Sequence, residues 1–122
     1  MERSTFKLAV LDAYAGACAL TGEHSLPVLD AAHIRPYSDG GEHQVPNGLL
    51  LRSDLHRLLD RGDLTVTPDD RVRVSPALRE EFANGRTYYG LEGSVIGLPR
   101  RGEDRPDREA LAWHSEEVFK AA

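Results

Sequence analysis

Two histidines and an asparagine stand in order near the middle of this chain: His33, Asn47 and His56. They lie in the stretch DAAHIRPYSDGGEHQVPNGLLLRSDLHRLLD, which runs from Asp30 to Asp60. Fourteen positions separate the first pair and nine the second, and an aspartate closes each end. These residue types suit metal-assisted hydrolysis of a phosphodiester. That reaction needs an activated water in line with the leaving oxygen, and positive charge on the phosphate and leaving group. An imidazole titrates near neutrality and can take the proton of that water. His33 is expected to be the base. Its other ring nitrogen needs a partner to fix the tautomer, and Asn47 or a backbone carbonyl held by the intervening loop would serve.

The elements that must position these groups follow from local patterning. Residues 27–34, PVLDAAHI, read as a strand. Alternation puts Leu29, Ala31 and His33 on one face and Val28, Asp30, Ala32 and Ile34 on the other. Residues 35–46 carry Pro36, Asp39-Gly40, Gly41 and Pro46, and read as loop. A second short strand covers 47–51. Ser53 or Asp54 then caps a helix through Arg61 that stops at Gly62. His56 and Asp60 are four apart and share a face of that helix.

The flanks read as scaffold. Residues 5–15 form a helix with Phe6, Val10, Leu11 and Tyr14 as its apolar stripe. Cys18 to Thr21 is a strand or turn, and Cys18 is either a buried filler or a reactive thiol. Residues 64–66 and 72–74 make a hairpin, Pro76 opens a short helix with Ser75 as cap, and Asn84-Gly85 is a turn. Residues 94–98 form a further short apolar piece, and 99–106 a charged loop. A closing helix spans 107–120, with His114 as a structural residue.

The series His33, Gly40-Gly41, Asn47-Gly48-Leu49 and His56 at the start of a helix resembles the HNH (ββα-metal) endonuclease motif. The wider runs CALTG, LDAAHIRPYSDGG and NGLLLRSDLHRLLDRG are similar to a restriction-type subgroup of that family. The tail pieces GLPRRGEDRPD and WHSEEVF extend the likeness over most of the chain. The resemblance implies an α+β fold: a small ββα-metal core at about 26–62, an N-terminal helix, an added hairpin and a C-terminal packing helix. All of it would form one nuclease domain over 1–122. It also implies His33 and Asn47 as catalytic residues, with Asn47 fixing the loop and orienting the base. His56 would be the metal-binding histidine.

One divalent ion is expected, Mg²⁺ first, with Mn²⁺, Ni²⁺ or Zn²⁺ as alternatives; carboxylate help suits Mg²⁺. Many family members carry His, Asp or Glu just before the base, where this chain has Ala32. Asp30 would have to replace that ligand from further along the strand. Asp60 is either a second ligand or an ion-pair partner of Arg57, Arg61 or Arg35. His43 is either a substrate contact or a solvated loop residue. Arg35 and Arg52 are expected to touch DNA phosphates, with surface ion pairing as the alternative.

Composition narrows the setting. One cysteine in 122 residues excludes an internal disulfide and a CxxC zinc knuckle, so no structural zinc is expected. No apolar run reaches the length of a membrane span, and the N-terminal residues lack a signal-peptide pattern. A cytoplasmic protein is expected. Fifteen basic and 20 acidic residues give a net charge of −5. That argues against freestanding high-affinity DNA binding, which depends on phosphate neutralisation. DNA remains the expected substrate, with little sequence specificity from this domain and a recognition domain or partner protein supplying the rest. The alternative is an HNH-fold module that binds nucleic acid or regulates, with weak or no catalysis.

Overall fold

The computed structural model describes residues 1–82 and 86–121. The Asn84-Gly85 turn lies outside the described residues. Helix α1 (Arg3–Ala13) comes first, followed by an antiparallel pair, β1 (Leu29–His33) and β2 (Gly48–Arg52). Helix α2 (Ser53–Arg61) leaves β2 without a loop. A second antiparallel pair, β3 (Leu64–Val66) and β4 (Val72–Val74), precedes α3 (Ala77–Phe82) and α4 (Arg86–Tyr89). Helix α5 (Arg108–Glu117) closes the fold against β3.

The β1–β2 pairing sets Leu29 opposite Arg52, Asp30 opposite Leu51, Ala32 opposite Leu49 and His33 opposite Gly48. Burial along β1 does not follow simple alternation, because both α1 and α2 pack on this hairpin. Leu29 and Ala32 are both buried. The closeness of α1 explains Gly48. A Cβ there would meet Val10 Cγ2 at 2.7 Å and Phe6 Cζ at 2.9 Å. Phe6 and Val10 are buried as the apolar stripe predicts, and the Tyr14 hydroxyl donates to the Gly48 carbonyl at 3.2 Å. One apolar cluster links α1, both hairpins, α2 and α5 through Phe6, Leu49, Leu55, Leu59, Leu64 and Leu111.

Helix α2 differs in its start. It begins at Ser53, and no side chain caps it. The Ser53 hydroxyl instead donates to the Val28 carbonyl at 3.1 Å, tying the helix to the residue before β1. Asp54 in the first turn suits the helix dipole and grips Arg52. Gly62 ends the helix in the left-handed region, at φ 81°. At α5, Asp107 is a true N-cap, accepting from Ala110 N at 3.1 Å. Cys18 is buried, with Sγ near Arg52 N, so it fills space. No helix among the described residues is long and apolar enough to cross a membrane.

Candidate active site

His33 ends β1 with its ring stacked on Phe6, centroids 4.2 Å apart and planes 10° from parallel. Its Nε2 lies 2.8 Å from His43 Nδ1, and among the described residues its Nδ1 has no hydrogen-bond partner. Burial, then the nearby His43 and Arg3, hold its pKa below the ordinary histidine value. The ring is therefore neutral at pH 7 and carries a lone pair able to take a proton.

Asn47 reaches His33 only indirectly. Its Oδ1 accepts from Arg35 N at 3.0 Å, and its Nδ2 donates to the carbonyls of Arg35 at 2.8 Å and Glu42 at 2.9 Å. One buried amide thus staples both ends of the loop. The fit is close enough that a Cβ on Gly41 would lie 2.9 Å from Asn47 Nδ2. The residue after the staple is His43, which the loop delivers to His33. The tautomer partner is thus an imidazole, neither Asn47 itself nor a carbonyl. Tyr37 stacks on His43, centroids 5.2 Å apart at 6°. Within SDGGEHQ, His43 reads as a solvated residue. Its one signal is its place just past the Gly40-Gly41 turn between the two motif strands.

His56 points from α2 to the same edge of the hairpin. Asp30 Oδ2 is 2.9 Å from its Nδ1, and Asp60 Oδ2 is 3.3 Å from its Nε2. Asp30 does reach past Ala32, since α2 packs on the face the two residues share. Asp60, then Asp30, raise the pKa of His56 to about 9 against the opposing effect of burial. In this arrangement the imidazole is a cation between two carboxylates.

That geometry bears on metal binding. Among the described residues no three His, Cys, Asp or Glu side chains form a ready cage. The donor types nevertheless fit a divalent ion: one imidazole and carboxylates, with room for water ligands. A spot that stabilises an extra proton is one of negative potential, and a metal would displace that proton. The carboxylates divide by ring nitrogen. Asp30 closes Nδ1 tightly, while Asp60 stands off Nε2 and is 58% exposed.

Two depressions open on these groups. The larger, about 570 Å³, is lined by His33, His43, His56, Asp60, Tyr37 and Trp113 among others. The smaller, about 400 Å³, is lined by His33, His56, Asp30, Ala31 and residues of α1. His114, behind the site, is buried between the Thr65 hydroxyl at 2.7 Å and the Leu59 carbonyl at 2.8 Å. The two arginines singled out in the sequence line neither depression. Arg52 is held bidentately by Asp54, at 2.7 and 3.0 Å. Arg35 donates to the Asp39 carbonyl, and its guanidinium lies 5.1 Å from the centre of the Trp113 ring.

Residues 18–67 match a family model described as HNH endonuclease. No curated protein matches the chain. Among solved structures it is similar to a chain described as "Modification dependent TagI restriction endonuclease", with a TM-score of 0.64 and 20% identity. That likeness covers 98% of this chain and 39% of the other, and at such identity it speaks for the fold.

Proposed function

We propose, from the match of residues 18–67 to a family model described as HNH endonuclease, that the chain is a metal-dependent endonuclease hydrolysing DNA phosphodiester bonds. The observation that carries this reading is the meeting of His33 and His56, from a strand and a helix, at the same two depressions. His33 is the general base. With its Nε2–H donating to His43 Nδ1, its own Nδ1 lone pair is left to accept a proton from water. Phe6 on one side and the Asn47-stapled loop on the other hold the ring, so no reorientation is needed at the moment of proton transfer.

His56 and Asp60 would hold one divalent ion, Mg²⁺ before Mn²⁺, Ni²⁺ or Zn²⁺, which when bound supplies Lewis acidity to the phosphoryl and leaving oxygens. Asp30 accepts from the opposite ring nitrogen and fixes the ring in its ligating tautomer. All 122 residues act as one nuclease unit in the cytoplasm. It is the cleavage module of a restriction or defence system, and sequence choice comes from a recognition domain or partner protein. The span of 39% on the similar structure supports such a larger assembly.

The test is plasmid nicking in Mg²⁺, Mn²⁺ or Ni²⁺ against EDTA, beside His33→Ala. Nicking that needs metal and is lost in the variant is expected. Metal-independent nicking, or equal nicking by the variant, would sink the reading. A second reading has one observation behind it: both nitrogens of His56 already face carboxylates. A binding module that keeps the fold without the chemistry would then be left. Calorimetric titration with Mn²⁺ separates the two, since the module predicts no heat from the wild type.

A further inference from the structure

Helix α1 contributes more than packing. Arg3 lines both depressions at the candidate site, and Lys7 lines the smaller one with His33, His56 and Asp30. The two are four residues apart on one helix, so they stand on the same face, separated by about 6 Å along the axis. Phe6 lies between them in sequence and stacks on His33, which fixes this stretch of the helix against the base.

Both side chains are exposed, and among the described residues neither has a hydrogen-bond or ion-pair partner. Five other cations are differently placed. Arg52, Arg61, Arg71, Arg108 and Lys120 are each held by an aspartate. Arg3 also sits in the first turn of α1, where no acidic residue accompanies it and the helix dipole disfavours a cation. Its field reaches the reacting group, being among the causes that lower the pKa of His33.

A polyanion approaching this site meets Asp30 and Asp60 on a chain of net charge −5. Something must offset that repulsion beside the scissile bond, and Arg35 and Arg52 are turned elsewhere. We propose that Arg3 and Lys7 form a subsite for the nucleic-acid backbone, gripping successive phosphates of the strand whose scissile bond lies at His33. The proposal rests on the nuclease reading above and adds the element that docks the substrate. Contacts of this kind position the strand without reading its bases.

The experiment measures binding of a fluorescent duplex by anisotropy in EDTA, across a salt series, in a His33→Ala parent that cannot cleave. Adding Arg3→Ala and Lys7→Ala should weaken binding roughly tenfold. It should also make the slope of log K against log salt less steep by about 1.8, the share of two phosphate contacts. Arg3→Lys with Lys7→Arg should keep the slope. Arg101→Ala should also keep it, since Arg101 lines a separate depression with Asp12 and Leu98. Melting temperatures should stay level throughout, as both side chains are exposed. A parent that binds with a slope unchanged by the double substitution overturns the subsite alone. A parent that binds no duplex, single strand or RNA even at low salt overturns the subsite and the nuclease reading together.

Discussion

His56 and His114 are both histidines with both ring nitrogens occupied, yet the protein drives them in opposite directions. His56 on α2 lies between two aspartates and is pushed up to about 9. His114 on α5 lies between a threonine hydroxyl and a backbone carbonyl, and burial holds it below the ordinary value. The difference lies in what each neighbour can do. Carboxylates stabilise a charge, whereas a neutral pair in a dry pocket satisfies one neutral tautomer. One region is built to hold a cation and the other to seal the seam between α5, β3 and α2.

That contrast predicts a clean separation of phenotypes. His56→Ala should lower nicking by about a thousandfold, the scale of losing the metal's charge stabilisation. Its unfolding free energy should move little, because a half-exposed ion pair contributes at most about 1 kcal/mol. Parallel plasmid assays and urea titrations check both; a large stability loss would mean that His56 is part of the scaffold. His114→Ala should do the reverse. It removes the hydrogen bonds to the Thr65 hydroxyl and the Leu59 carbonyl, opens a void in the seam, and should cost about 2–4 kcal/mol in urea unfolding. Nicking per folded molecule should stay within a few-fold, and a collapse of activity in fully folded protein would place His114 in the chemistry.

The smallest effect is in pH dependence, and its sign differs between the two. The contribution of His56 is present in full below its unfolded pKa of about 6.5 and is lost as pH rises through about 9. That of His114 is present above about 6.5 and is lost as pH falls through its lowered folded value. Metal-free protein should therefore lose urea stability on both sides of neutrality. His56→Gln should flatten the alkaline limb only, and His114→Gln the acid limb only. A variant that flattens the other limb would contradict the assignment.

Much of this was legible in the sequence, for a physical reason. Strand, turn, strand and helix follow one another within Asp30–Asp60, so short-range spacing carries His33 and His56 to one edge, with Asn47 set behind them in the loop it staples. Parts of the scaffold were legible too: the stripe of Phe6 and Val10, the hairpin of 64–66 with 72–74, and the closing helix with its buried histidine. What escaped depends on contacts between distant segments. His43 looked solvated because its partner lies ten residues back and its loop is shaped by one amide. Asp30 looked blocked by Ala32 until α2 came down on the strand face they share. Arg35 lies against Trp113 from the closing helix, and Arg52 pairs locally with Asp54, the surface ion pairing that the sequence leaves open. Arg3 and Lys7, on a helix that reads as packing alone, take their place at the depressions.

The stack of Phe6 on His33 has a consequence for anyone who would move this site into another protein. The motif segment contains the reactive groups, but the surface that aims the base belongs to a helix well upstream, seated on a strand position that tolerates no side chain. A graft of residues 26–62 alone would transplant the tools without the vice that holds them. Phe6, on the helix that Gly48 lets come close, has to travel with the histidines.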